Sequence, residues 1–226
     1  MISTIMARDI PDAWFQCLVR IQEDGFKYSV EYGSFVGETR LEFDWITIQI
    51  THPYSEPYDT MLPDIPKSLG IPNPVAPGYV EQYLPYLMSN HKEEREAYTY
   101  GSRIWDEIPF YVRMLRCVPN TNQAILQIAQ SNDWACLNPP CLRHIDMRVK
   151  AGELIFYPYF RSWDLWAGFP ANLAAIAVLQ KYMADEIGVS SGPIIASSKG
   201  LHIYGYAEEL ARIRCNNDTL GEITYG

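Results

Sequence analysis

The chain has 226 residues, of which 48% are hydrophobic and 20% charged, an ordinary globular balance that can bury a substantial core in one large domain. Eighteen lysines and arginines against 27 acidic residues give a net charge of -9, which repels polymeric nucleic acid and argues against a DNA or RNA partner. A small phosphorylated ligand stays compatible with that charge, because a few focused cations can override the global field.

Five cysteines, Cys17, Cys117, Cys136, Cys141 and Cys215, form no CxxC pair, which argues against a disulfide scaffold and a zinc knuckle. No apolar run approaches the 18 residues of a membrane span, and the start lacks a secretory leader's basic-then-apolar pattern. The expectation is a cytoplasmic protein in a reducing setting, with no membrane partner and no metal.

In chain order, the first expected element is a helix: Pro11 suits its first turn, Trp14, Cys17, Leu18 and Ile21 recur at helical spacing, and Gly25 ends it. Residues 27–52 read as strands, and the proline-rich stretch 53–78 as a long ordered surface loop and not a linker between domains. A helix is predicted from Gly78 to Glu96 and another over Ile108 to Cys117, before a turn at Pro119-Asn120. Ile145, Met147 and Val149 alternate with charged residues as a half-buried strand, Gly152 turns the chain, and 153–160 return as an aromatic-rich strand. Pro170 opens a helix that Gly188 closes. One strand is predicted from Ile194 through Tyr204, and a short helix near Ala207. The whole reads as an α+β layered fold, a single domain over residues 1–226.

Certain residues carry potential chemistry. Cys141 follows Pro139-Pro140, which hold the backbone extended; taken alone, it fits a packed, inert thiol more readily than a nucleophile. Arg161 and Ser162 lie on the far side of the predicted hairpin. There a guanidinium would favour thiolate and grip phosphate, although a surface ion pair and a turn serine fit the same letters. Asn172, in the first turn of the Pro170 helix, either caps that turn or reads the O4 and N3–H edge of a uracil. His202 and Tyr204 share one face of a strand, as a satisfied core pair or as partners of sugar hydroxyls.

In order, Asn138-Pro139-Pro140-Cys141, Arg161-Ser162-Trp163-Asp164, Gly168-Phe169-Pro170-Ala171-Asn172 and His202-Ile203-Tyr204 resemble the motifs of thymidylate synthases, nearest to the short archaeal branch. Tyr100-Gly101 is similar to the pair before that family's central helix, and the resemblance is strong over residues 98–212. It implies methylation of dUMP at C5 to dTMP, with methylene-tetrahydrofolate or methylene-tetrahydromethanopterin giving both the one-carbon unit and the hydride. It further implies a layered, mixed-sheet fold and a homodimer. Cys141 would add to C6, Arg161 and Ser162 would hold the phosphate, Asp164 would contact the pterin, Asn172 would read the base, and His202 and Tyr204 would bind the ribose. Tyr100 would assist proton loss from C5, and Glu81 would be the general base, with Glu93, Glu94 and Glu96 as competitors.

Three departures stand out. Leu142 replaces a histidine after the thiol. Thr121-Asn122-Gln123 replaces the serine-arginine-arginine that a partner subunit extends to phosphate, with Arg40, Arg113 and Arg143 as substitute cations. Lys199-Gly200 replaces a glycine-aspartate, and residues 218–226 stand in place of a folate-closing tail. A nucleotide hydroxymethylase of the same superfamily and a non-catalytic nucleotide- or RNA-binding regulator are the competing readings.

Overall fold

The computed structural model describes residues 1–33 and 35–216; the expectation about residues 218–226 lies outside them. The chain opens with β1 (Ile2–Ala7), α1 (Ile10–Asp24), β2 (Phe26–Ser29), β3 (Thr39–Glu42) and β4 (Trp45–Ile50). Two short 3-10 turns over 58–61 and 67–69 precede α2 (Tyr79–Leu87), α3 (Gly101–Ile104), α4 (Ile108–Cys117) and β5 (Ile125–Gln127). The hairpin β6 (Leu142–Lys150) and β7 (Glu153–Phe160) follows, then β8 (Trp163–Asp164), α5 (Gly168–Ile187), β9 (Ser190–Ser198), β10 (Leu201–Tyr204) and α6 (Gly205–Asn216).

The fold is α+β. A six-stranded mixed sheet runs in the order β1-β4-β9-β7-β6-β5, and a four-stranded sheet in the order β2-β3-β10-β8. On one face of the larger sheet, α1 packs against β1 and β4, and α5 against β9 and β7. From Phe169 to Gln180 the α5 helix is buried almost all round and correspondingly apolar, its last turns expose Tyr182, Asp185 and Glu186, and Gly188 ends it in the left-handed conformation, φ 88°. Ile46, Ile48, Ile50, Phe156, Ile194 and Ala196 fill the space beneath these helices. The alternate residues face outward: Ile2 and Met6 are exposed, while Trp45 and Tyr159 stack half-buried at 5.8 Å.

The α1 helix forms as its residues dictate. Asp9 accepts the Asp12 N–H at 2.9 Å as N-cap, Pro11 sits in the first turn, and a stripe from Ile10 to Ile21 is buried. At its end a Cβ on Gly25 would lie 2.4 Å from the Ile21 carbonyl oxygen, so only glycine lets the chain leave there.

Four expectations need correction. The first element is a strand, not a helix; β1 buries Ser3 and Ala7 with Ile5 and exposes Ile2 and Met6, so its apolar alternation is inverted. The helix from residue 78 ends at Leu87, not Glu96, because the charged stretch 91–96 offers no apolar face to bury. The α5 helix starts at Gly168, two residues before Pro170, and Asn172 therefore lies past its first turn. The strand expected over 194–204 is two strands in different sheets. The chain crosses between the sheets at Lys199-Gly200, where a Cβ on Gly200 would sit 3.0 Å from the Arg161 carbonyl oxygen. The proline-rich stretch is an ordered loop, though less superficial than expected, since Met61, Leu62, Ile65, Leu69, Ile71 and Val75 join the core.

Candidate active site

The β6/β7 hairpin builds the centre of the site. Its tight turn puts Ala151 and Gly152 both at positive φ, and Leu142 pairs with Phe160 at the open end. That register sets Cys141 beside Arg161, whose backbone N–H donates to the Cys141 carbonyl at 2.9 Å. The Arg161 guanidinium turns back onto the chain: Nη2 donates to the Pro139 carbonyl at 2.6 Å and Nε to that of Pro140 at 3.2 Å. From the other side, Tyr98 donates to the Asn138 carbonyl at 3.2 Å and the Leu142 N–H points at the Tyr100 hydroxyl at 3.4 Å. The thiol-bearing segment is thus held at both ends.

Cys141 lines a cavity of about 670 Å³ together with Arg161, Ser162, Arg40, Lys199, Glu42 and Tyr204. Three cations converging in a chain of net charge -9 are the local exception through which an anion could enter. The thiol's pKa is raised above the ordinary cysteine value: burial outweighs the opposing fields of Arg161, Arg40 and Arg143. The expected gain in thiolate from the neighbouring arginine is present, but it is the smaller effect. A larger cavity of about 880 Å³, between Arg8, Phe15, Asp64 and Arg214, contains none of the predicted site residues. The thiol and cations, not size, mark the smaller cavity as the site.

His202 and Tyr204 stand edge-on at 4.5 Å on β10. His202 Nδ1 lies 2.8 Å from the Gly200 carbonyl, an acceptor only, so Nδ1 carries the proton and Nε2 offers a lone pair. That Nε2 is buried and has no hydrogen-bond partner. Burial, with a contribution from the Arg40 charge, pushes the His202 pKa down to about 4, so the ring is neutral near pH 7. Arg40 donates from Nη2 to the Tyr204 hydroxyl at 2.8 Å and lies over its ring at 4.9 Å, while its buried Nε has no partner. Glu42 accepts from the Tyr28 hydroxyl at 2.9 Å, and burial raises its pKa.

Asp164 and Asn172 flank the start of α5. Asp164 accepts backbone N–H groups of Trp166, Ala167 and Gly168 at 3.1–3.2 Å, which caps the helix from outside. Asn172 accepts from Trp163 Nε1 at 3.0 Å, donates to the Tyr83 hydroxyl at 2.8 Å, and lines a separate cavity of about 290 Å³ with Tyr79, Tyr83 and Gly168.

Cys141, Arg161, Ser162 and Tyr204 are therefore brought to one cavity, with Tyr100 and His202 directly behind it. Glu81 is not brought there: it is exposed on α2 and lines neither cavity, and of the competitors Glu93 and Glu94 are exposed and Glu96 is half-buried, none of them lining either cavity. Of the three substitute cations, Arg40 lines the cavity; Arg143 pairs with Asp133 at 3.2 Å, and Arg113 is exposed on α4. Glu42, Tyr83 and the role of Trp163 escape a reading by motif. Glu42 alternates with Arg40 on one short strand, which is a weak signal; the other two are products of packing. Among the described residues, no group of three His, Cys, Asp or Glu side chains is placed to hold a metal ion, and no helix is long and apolar enough to cross a membrane.

The thymidylate synthase family model matches residues 82–220, which include every motif around this cavity. The chain belongs to the thymidylate synthase family, methyltransferases that use a folate-type one-carbon donor. It is similar to a "Putative thymidylate synthase" of Methanosarcina barkeri, 28% identical over 211 residues and 89% of each chain. A protein of the same description from Methanothermobacter thermautotrophicus is 26% identical over 216 residues, 90% of this chain and 94% of the relative. A "Thymidylate synthase" of Listeria monocytogenes is 29% identical over 114 residues, 50% of this chain and 36% of the relative.

Proposed function

We propose that the protein converts dUMP to dTMP, with Cys141 as the nucleophile and a methylene-bearing reduced pterin as co-substrate. The observation that carries this reading is the convergence of the Cys141 thiol with Arg161 and Arg40 in one cavity, with a buried histidine bearing a free lone pair packed against its Tyr204 wall. A phosphate would meet Arg161, Arg40 and Ser162. A ribose hydroxyl would donate to His202 Nε2, which satisfies that orphaned acceptor, and Tyr204 would stand beside it. Cys141 sulfur adds to C6 as thiolate, and the electron pair moves through C5 to O4. C5 then attacks the methylene carbon and loses its proton, with Tyr100 assisting. The pterin supplies the methylene group and the hydride that makes it a methyl group, leaving as the dihydro form while the C6–S bond breaks.

Tetrahydrofolate and tetrahydromethanopterin both fit this scheme. Asp164 keeps oxygen lone pairs beyond its helix-capping bonds, available for a pterin. The protein acts as one unit, and we place it in the cytoplasm as a homodimer. The outward face of the large sheet, with Ile2, Met6, Trp45 and Tyr159, suits a second copy of the chain.

Incubation with C5-tritiated dUMP and either methylene pterin tests the reading. Tritium release with dTMP formation supports it. Release with a hydroxymethylated product assigns a nucleotide hydroxymethylase instead, and nucleotide binding without release assigns a non-catalytic regulator.

A further inference from the structure

We infer that Trp163 is a positioning residue that sets which pyrimidine the site accepts, by fixing which way round the Asn172 amide lies; this rests on the proposed dUMP chemistry and on the role that the family resemblance implies for Asn172, reading the base edge. An indole N–H is a donor and never an acceptor. It lies 3.0 Å from one end of the Asn172 amide, so that end must be the carbonyl oxygen. The reverse orientation would set two N–H groups against each other and leave a buried donor unsatisfied. At the other end the Tyr83 hydroxyl, 2.8 Å away, accepts from Nδ2. A hydroxyl can donate or accept, so Tyr83 follows the amide's orientation and does not dictate it.

Trp163 cannot turn to accommodate a flip. Its ring is 2% exposed, lies flat on Phe160 with centroids 3.9 Å apart and planes 5° apart, and meets Phe169 at 4.7 Å. Its backbone is tied down as well, through its N–H to the Gly200 carbonyl at 2.8 Å. After the bonds to Trp163 and Tyr83, the Asn172 amide keeps one lone pair and one N–H, in a fixed order. Uracil presents a carbonyl acceptor beside an N3–H donor, and cytosine presents an amino donor beside an N3 acceptor. An amide free to turn over would serve both; one pinned by a donor-only neighbour serves one. Discrimination between keto and amino pyrimidines is thereby assigned to a core tryptophan that need not touch the nucleotide.

Calorimetric titration of the full chain with dUMP and dCMP tests this. The wild type is expected to prefer dUMP. Trp163→Phe should narrow the preference by about tenfold, mainly through gained dCMP affinity, whereas Tyr83→Phe should move both affinities together and hold the ratio within about twofold. Because Trp163 is packed in the core, incorporation of benzothienylalanine at 163 gives a second measurement that keeps the ring's shape and removes only the N–H. A purely structural role would weaken both nucleotides in parallel. An unchanged ratio in both position-163 variants overturns the inference while the proposed function stands, and so does a wild type without preference. A wild type that binds neither nucleotide overturns the functional reading and this inference with it.

Discussion

Arg161 holds Cys141 directly and through the segment before it: its backbone N–H donates to the Cys141 carbonyl at 2.9 Å, and its guanidinium clasps the two proline carbonyls that lead into the cysteine. Prolines lack an N–H, so the 139–140 segment can be anchored only through its carbonyls, and a cation with several fixed donors suits that task. The same guanidinium lowers the cost of charging the thiol, but burial still dominates and holds the Cys141 pKa above the ordinary value. Alkylation of the free protein by iodoacetamide should therefore accelerate with pH beyond the range of an exposed cysteine. Arg161→Ala should shift that acceleration to still higher pH, and the loss of charge-assisted bonds should lower stability by about 2 kcal/mol. A thiol that titrates at lower pH in the variant would contradict the assigned field.

The nucleophile is separable from binding. Cys141→Ala removes the atom that bonds to C6 and leaves Arg40, Arg161, His202 and Tyr204 in place. Tritium release should vanish, while dUMP affinity stays within about tenfold, since the sulfur acts in the chemical step. Measurable release from this variant would remove the thiol from the mechanism.

How far the sequence alone reaches is clear from particular residues. The hairpin at Ala151-Gly152, the closure of α5 at Gly188 and the adjacency of Cys141 to Arg161 all follow from local signals, because a hairpin's register maps chain distance onto space. The β1 strand was illegible for a physical reason: it turns Ile2 and Met6 outward, against the rule that apolar side chains face the core. The contact between Arg40 and Tyr204 spans 164 residues and depends on β3 pairing with β10, which no local period encodes. Glu81 shows the opposite failing: a loose motif match put a carboxylate at the thiol, whereas α2 leaves Glu81 exposed and sends Tyr83 to Asn172.

His202 ties stability to acid. Its folded pKa, about 4, lies below the usual histidine value near 6.5, so the folded state resists protonation more than the unfolded state does. The resulting stabilisation is complete above pH 6.5 and is lost as pH falls through about 4, amounting at most to about 3 kcal/mol. Raised pKa values at Glu42 and Asp164, both also near this ring's sheet, act in the opposite sense, since their protonated forms suit the fold. Urea unfolding of wild type and His202→Gln between pH 4 and 8 isolates the histidine. The stability difference should shrink as pH falls, and a constant difference would contradict the neutral, Nδ1-protonated ring.

Asn122 and Gln123 are exposed before the edge strand β5 and lie outside the cavity of their own chain, whereas Arg40, Arg161 and Lys199 line it. Phosphate binding should therefore depend on the chain's own cations. Lys199 is the cleanest probe: Arg161 also anchors the thiol segment and Arg40 also holds Tyr204, so their loss disturbs more than charge. Lys199→Gln should weaken dUMP by about fivefold and flatten its salt dependence, while deoxyuridine, which lacks the phosphate, binds unchanged. Arg40→Gln should weaken dUMP by about tenfold or more and deoxyuridine to a smaller extent, because the Tyr204 hydroxyl loses its donor. Replacing Asn122 and Gln123 together by alanine should leave dUMP affinity within about twofold, as neutral amides offer phosphate no charge. If that double variant weakens dUMP more than Lys199→Gln does, the phosphate is held across a dimer interface, and the three cations of the cavity serve another group.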